Sequence, residues 1–441
     1  MTTGTFARTA VDSPQAALAA ALATPLVIAG IPLIESIRTC RVQTAGGPPG
    51  YGRAPMGRIS ASDHLWTDRD RDIVTPANDL LYFCAWINLA GAPAILSAPA
   101  TTGRYFVMEL LDAWTENFIN LGTRNVPATG ASFALAGPST SGPLPVGTTR
   151  VDCPTDLVWL IGRVLVTGED DLAAARAFMQ GFTLASAVSA LPACVRAWQE
   201  GGDPALDFFA NLMRAAHEYP APAIDGKPGF DAHALWRALG FDPADPDSLA
   251  RANSRIQDGL KAAYADGMAV VEAHTKSQGR KPWGYTTRLG KWRGNLLLRA
   301  TTALKGLGAL AAEETIYAMA DFDRDGAGLD GVYDYVLRFA PGALPPADAF
   351  WSVSLYGEDR YFVVNPIGRF ALGDRTLGLT FDADGSLSIP IQHARPTQHA
   401  KNWLPAPAGR FYLILRLYHP REEFLSGRYT IPPVARVKVA A

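Results

Sequence analysis

Two blocks of short runs rich in β-branched and aromatic residues flank an Ala/Leu-rich middle, and this change of hydrophobic period constrains the fold more than any other feature of the chain. The first block has runs at 80–89, 94–97, 104–111, 132–136 and 157–167, separated by turns such as Gly91-Ala92-Pro93 and Ser141-Gly142-Pro143. Short strands parted by Gly and Pro at this spacing predict a sandwich or barrel, not alternating βαβ units. Between 170 and 314 apolar residues recur at helical spacing over 172–180, 205–217, 231–239, 249–275 and 295–314. Asp231, Asp247 and Ser248 stand where helices start, and Gly240 where one ends. The strand pattern returns at 332–339, 349–355, 361–364, 376–381, 387–392 and 411–418.

The expected fold class is therefore α+β and β-rich: two antiparallel β-sandwich or jelly-roll-like lobes connected by a helical module. The N-terminal lobe with an entry helix is expected over 1–167, the helical connector over 168–320 and the C-terminal lobe over 321–441. A chain of 441 residues exceeds what one core usually serves, which fits this division.

With 48% hydrophobic and 19% charged residues the chain has the balance of an ordered globular protein. A formal net charge of −2 and no long Lys/Arg run leave no electrostatic footprint for nucleic acid or an anionic membrane. Cys40, Cys84, Cys153 and Cys194 show neither CxxC nor zinc-ligand spacing and read as buried thiols in a reducing compartment. The stretch 16–34 is the one candidate for targeting or spanning. It carries Pro25, Gly30 and Pro32 and follows Asp12, so it reads as a buried first helix with an entry turn. The expected location is cytoplasmic, with secretion the alternative.

Several motifs invite a chemical reading. Lys305 to Ala311 contains GxGxxA, but a phosphate cradle needs a strand before the glycines, and here a helix precedes them; close packing at small residues is the plainer reading. Asp321, Asp323 and Asp325 with Gly326 reproduce the start of a calcium loop, but the twelfth position is Val332 where a bidentate glutamate belongs. Calcium is thus one reading and a plain Asp/Gly turn the other.

The segment RYFVMELLDAWTENFINLGTR at 104–124 sets Glu109, Asp112 and Glu116 around Trp114, ahead of Arg124. A ring beside carboxylates suits a cleft in which the ring stacks and the acids move protons. Glu109 and Asp112 are three apart, so on a regular strand they face opposite sides, and a bulge is needed to bring them together. Asp79 and Arg163 are charged residues in apolar runs and read as a pair inside the lobe. In the second lobe Arg369, His393, Asn402 and Trp403 fall on loops or strand ends, with His393 the best candidate among seven histidines for proton transfer. The sequence has no GxSxG, HExxH or GxxxxGK[ST].

Seven segments together carry a family resemblance: NDLLY at 78–82, YFVMELLDAW at 105–114, TDLVWLIGR at 155–163, FWSVSLY at 350–356, NPIGRF at 365–370, DGSLSIPIQH at 384–393 and NWLPAPAGRFYLILRLYHP at 402–420. They resemble a bacterial family that pairs an N-terminal domain of unknown function, numbered twelve fifty-four, with a C-terminal one, numbered twelve fourteen. The resemblance runs from about residue 26 to the end. It implies two β-sandwich or jelly-roll-like lobes with helices between them, and a homo-oligomer. It supplies no catalytic residues to carry over. Many members resemble exported proteins, whereas no convincing signal is read here, so secretion stays the alternative to the cytoplasm. The acidic trio Glu109, Asp112 and Glu116 exceeds the family pattern and points to a specialised pocket.

The expectation is an enzyme acting without an organic cofactor on a small organic or sugar-like molecule by general acid/base chemistry. Glu109, Asp112 and His393 are its expected proton-transfer groups, and Trp114, Arg124, Arg163, Arg369, Asn402 and Trp403 its binding residues. The alternative is a non-catalytic glycan-binding or self-assembling β-sandwich protein.

Overall fold

The structure is a computed structural model that describes residues 11–46, 52–71, 74–101, 103–223, 226–276 and 281–437. Two sandwiches lie face to face, with helices packed around their junction. In the first lobe a five-stranded antiparallel sheet runs in the order Ser60–Ala61, Leu80–Asn88, Leu157–Leu165, Phe106–Asp112, Asn117–Gly122. Strand alternation sends Leu81, Phe83, Phe106, Met108, Leu110, Leu160 and Val164 to one face. There they meet a four-stranded sheet of Thr149–Asp152, Ala131–Ala136, Ala94–Ala98 and Thr183–Ser186.

The second lobe repeats the plan. One sheet runs Thr315–Ala320, Phe411–Pro420, Ala347–Gly357, Ala371–Gly373, and its partner runs Leu404–Pro405, Leu387–Gln392, Tyr335–Phe339, Ala435–Arg436. Leu413, Leu415 and Leu417 point into this sandwich with Trp351, Val353 and Leu337. Pairing is antiparallel apart from two short parallel contacts, Ala131–Ala136 with Thr149–Asp152 and Leu387–Gln392 with Leu404–Pro405.

The remaining faces of the two large sheets are also buried, and they meet each other. Tyr82, Trp86, Tyr105, Val107 and Trp159 from the first sheet share one core with Phe350, Tyr356, Ile414 and Tyr418 from the second. Helix Pro14–Thr44 joins this core too. Among the described residues it is the one helix long and apolar enough to cross a membrane, yet most of its apolar stretch is buried against other helices. Gly259 and Gly267 of helix Ser254–Lys276 let the two backbones close up, since an added Cβ would stand 2.5 Å from Ala16 O and 2.7 Å from Val27.

Three expectations change. The entry helix continues through Pro25 and Pro32 without a break and belongs to the helical layer, not to the first lobe. Strand Thr183–Ser186 lies beyond residue 167 yet pairs with Ala94–Ala98, so the first lobe extends past that point. Strand Thr315–Ala320 lies before residue 321 and pairs with Phe411–Pro420, so the second lobe begins earlier. Both are short or edge strands whose composition does not interrupt the neighbouring helical pattern.

Candidate functional site

The facing sheets do not close fully. Between them, under the turn that follows helix Leu296–Lys305, is a cavity of about 1450 Å³. Its walls follow from strand register. In the second lobe Arg416 stands directly between Tyr317 and Ser352, on the central strand of its sheet. In the first lobe Arg163 stands opposite Tyr82 on one side and Val107 on the other. Tyr82, Arg163, Tyr317, Arg416 and Tyr418 thus reach one space from two sheets.

Both guanidinium groups are deeply buried, Arg163 6% and Arg416 3% exposed. Arg163 donates to Glu109 Oε2 at 2.7 Å and to the Gly308 carbonyl at 3.0 Å. Arg416 donates to Ser354 Oγ at 3.1 Å, Tyr356 Oη at 2.9 Å and the Thr75 carbonyl at 2.6 Å, and none of these is a carboxylate. The buried Asp79 carboxyl acts on Arg416 through space without a direct hydrogen bond, and burial favours its neutral form, so the guanidinium keeps positive potential toward the space it faces. Arg163 lies over the Tyr82 ring at 5.7 Å and Arg416 over the Tyr317 ring at 5.9 Å. Burial pushes the Tyr317 phenol up to about 12, so it keeps its proton at neutral pH and is available as a hydrogen-bond donor.

The segment that meets Arg416 is itself strained. Thr75 has φ 54° and Arg360 φ 67°, both left-handed, and the Thr75 amide donates to the Arg360 carbonyl at 2.9 Å. For a β-branched residue this conformation is costly, and such strain concentrates at functional sites. Arg360 and Lys305 line the cavity mouth with Asp321. Burial raises the Asp321 carboxyl above its usual range, an effect Lys305 and Arg360 partly offset.

The expected residues divide among several places. Arg163 lines the cavity, with Glu109 behind it: Glu109 is 0% exposed, and burial pushes its carboxyl up to about 7 although Arg163 pulls it down. Asp79 does not pair with Arg163, whose carboxylate partner is Glu109; burial raises the Asp79 carboxyl, and Ser352 and the charge of Arg416 partly offset that. Asp112, 2% exposed, accepts from the Glu116 amide at 2.8 Å and lies 3.7 Å from Arg299. Glu109 and Asp112 therefore serve different partners and do not converge. Trp114 is buried, its indole N–H donating to the Tyr219 carbonyl at 2.8 Å.

In the second lobe Arg369 donates to the carbonyls of Lys401 and Trp403, both at 2.8 Å. Asn402 ties Thr380 to Ser388, the Trp403 indole donates to Gln392 O, and His393 Nδ1 lies 3.0 Å from Ala406 O. These four fasten loops of the outer sheet and line neither of the two cavities described in this molecule.

Asp321, Asp323 and Asp325 do not gather around a point. Asp323 accepts from the amides of Asp325 and Ala327 and pairs with Arg436 at 3.3 Å, as a turn aspartate does, while Asp321 faces the cavity. Among the described residues no three His, Cys, Asp or Glu side chains form a metal-binding group. The GxGxxA glycines lie after a helix, and Gly308 supplies its carbonyl to Arg163. Tyr82, Tyr317 and Arg416 carried no signal as chemistry in the sequence beyond the alternation of their strands. Arg124 and His419 border the second, smaller cavity.

The family models place this molecule. The model described as "Protein of unknown function (DUF1254)" matches residues 56–186, and "Protein of unknown function (DUF1214)" matches residues 314–422. No curated protein matches the chain. Among solved structures, the VPA0106 protein from Vibrio parahaemolyticus is 24% identical, with 95% of this chain and 100% of that one covered at a TM-score of 0.70, and it shares the fold. A putative uncharacterized protein from Burkholderia cenocepacia is 12% identical, with 92% and 87% covered at a TM-score of 0.45. With the first match on the first lobe and the second on the second, the chain belongs to the two-domain family that joins DUF1254 to DUF1214.

Proposed function

We propose that the interlobe cavity binds a small organic anion, such as a sugar acid or an aromatic carboxylate, and that the protein acts on it by proton transfer. The observation that carries this reading is Arg416, a buried guanidinium with three neutral acceptors, facing open space across from a second buried guanidinium. An anion in that space gains charge-assisted hydrogen bonds in a low-dielectric setting. Tyr82, Tyr317 and Tyr418 give the cavity aromatic walls and phenolic donors.

In this reading Arg163 and Arg416 hold the anion and steady negative charge that develops during reaction. Tyr317 donates a proton or a hydrogen bond, and Asp321, with its raised carboxyl, exchanges protons at the mouth. Glu109 acts through Arg163 by fixing its position. The acid/base chemistry expected from the sequence is retained, but its groups move from Glu109, Asp112 and His393 to the cavity.

Thermal melting with glucuronate and benzoate, against glucose and benzamide as uncharged counterparts, tests the reading. The charged probes raise Tm and the uncharged ones do not; at about a hundredfold excess over Kd the gain is about 2.7 kcal/mol. Arg416→Met abolishes the shift. Equal effects of charged and uncharged probes, or an unchanged shift in Arg416→Met, overturn it.

A further inference from the structure

Tyr418 lines the interlobe cavity and Tyr105 lines a second one of about 770 Å³, their rings 5.5 Å apart, so this aromatic pair stands between the two spaces. His419 also lines the second cavity, and it arrives there by breaking a rule. Along Phe411–Pro420 the residues Tyr412, Ile414 and Tyr418 join the interlobe core, while Leu413, Leu415 and Leu417 join the core of the second lobe. Continued alternation would send His419 into that lobe. Its φ of 52° turns it the other way, and the imidazole packs on Tyr105 at 5.1 Å.

Glu314 holds this unfavourable backbone in place twice. Its carbonyl accepts the His419 amide at 2.9 Å, and its Oε1 lies 2.9 Å from the imidazole Nε2. The same Oε1 accepts from Tyr105 Oη at 2.7 Å, and Oε2 accepts from Arg124. Burial pushes the Glu314 carboxyl up, but the His419 hydrogen bond, Arg124 and Tyr105 together hold it below its usual range. An ionised carboxylate can only accept, so Nε2 carries a hydrogen, and in the neutral form of the ring that leaves the lone pair on Nδ1. Among the described residues Nδ1 has no hydrogen-bond partner. An imidazole fixed through one nitrogen by a carboxylate, with the other nitrogen unengaged at a cavity, is the arrangement of a general base.

The same cavity holds a cation with donors to spare. Arg375 donates to the Ala349 carbonyl at 2.8 Å and, among the described residues, forms no ion pair, although its charge partly offsets the burial that raises the neighbouring Asp374 carboxyl. The two aspartates of the lining are already spoken for, Asp171 by Arg104 at 2.5 Å and Asp348 by Arg421 at 2.6 Å.

We infer that this cavity is a second ligand site, separate from the interlobe one, for a small molecule that bears an oxyanion. Arg375 holds the oxyanion, Arg124 staying in its pair with Glu314, and His419 Nδ1 takes a proton from a hydroxyl of the ligand or from a water beside it. In that step the O–H bond breaks, an Nδ1–H bond forms, and the imidazolium is balanced by the Glu314 carboxylate. His419 is the group that reacts; Glu314 is a positioning residue.

The test is a titration of the full chain with acetate and, separately, inorganic phosphate, followed by NMR of the imidazole nitrogens. The His419 signals are those lost in His419→Gln or, should that variant not fold, those shifted in Tyr105→Phe. The expected result is an Nε2–H tautomer whose Nδ1 resonance moves saturably with at least one probe. Arg375→Met, at an exposed side chain, weakens that response about tenfold. Glu314→Gln removes the tautomer preference, which a merely structural role for Glu314 would leave intact. The assignment fails if neither probe moves the His419 nitrogens, if Arg375→Met binds as wild type does, or if the ring carries its hydrogen on Nδ1. Which probe acts separates carboxylate from phosphate ligands.

Discussion

Glu109 and Arg163 form a diagonal pair across two antiparallel strands: Arg163 stands opposite Val107, and Glu109, two residues on along the same face, meets it at 2.7 Å. The side chains are 0% and 7% exposed. This contact sets the direction in which Arg163 enters the interlobe cavity. It also converts one of the acid/base candidates of the sequence into a buried partner of Arg163, one layer behind the space where chemistry is proposed.

The pair has a pH signature. Burial raises the Glu109 carboxyl from 4.5 to about 7 despite Arg163. A raised carboxyl contributes stability that is present below its unfolded value of 4.5 and is lost as pH rises through about 7. Urea midpoints for wild type and Glu109→Gln at pH 5 and pH 8 therefore diverge in slope, the variant losing this component of the fall. Arg163→Met leaves Glu109 without its partner and costs about 3–5 kcal/mol at pH 8, less at pH 5. Identical pH slopes in wild type and Glu109→Gln would refute the assignment.

Much of the fold was legible because strand alternation and turn residues are local. The runs at 80–89, 157–167, 387–392 and 411–418 became strands Leu80–Asn88, Leu157–Leu165, Leu387–Gln392 and Phe411–Pro420, and the seven segments identified the family. The site was not legible, because it forms where two sheets from distant parts of the chain turn their second faces toward each other. Nothing local marks Tyr317 and Arg416 as neighbours of Tyr82 and Arg163. Likewise His419 looks like the next alternating residue of its strand until its left-handed backbone redirects it. The expected strands at 361–364 and 376–381 are loops instead: Asn365 takes up backbone groups of Val363 and Arg369, and Asn402 those of Thr380, in place of a ladder.

Asp112 separates structural from chemical carboxylates. Its pKa is raised by burial and offset by Arg299, and its oxygen accepts the Glu116 amide inside the joint between the first lobe and the helices. Asp112→Asn is expected to cost about 1–3 kcal/mol in urea denaturation, since Arg299 loses one of its two buried counter-charges. The glucuronate-induced shift in Tm should persist in the variant. Lost ligand response at unchanged stability would return Asp112 to the reacting groups.

Gly308 tests the reading of the GxGxxA motif. Its φ is 78°, and an added Cβ would stand 2.6 Å from Ile161 Cδ1, whereas Gly306 has open space around it. Gly308→Ala is therefore expected to cost about 1–2 kcal/mol through the left-handed backbone, and more if the carbonyl that accepts Arg163 moves. Gly306→Ala is expected to change stability far less. Thermal melts of the two variants give the comparison, and equal losses would mean that the turn does not position Arg163.

Glu314 supplies a pH dependence opposite to that of Glu109. Its carboxyl lies below the usual range because the bonds from His419, Arg124 and Tyr105 outweigh burial. A depressed carboxyl contributes stability present above the unfolded value of 4.5 and lost as pH falls through the folded one. Glu314→Gln should thus be less stable than wild type at pH 7 by about 1–3 kcal/mol, the cost of weakening a buried charge-assisted network. As pH falls below 4.5 the unfolded chain takes up the proton first and this component of wild-type stability is lost, so the gap between the two proteins narrows. Urea midpoints at pH 7 and pH 4 read the change, and a gap that widens toward acid would show that the carboxyl is already neutral at pH 7 and that the His419 tautomer is not set by it.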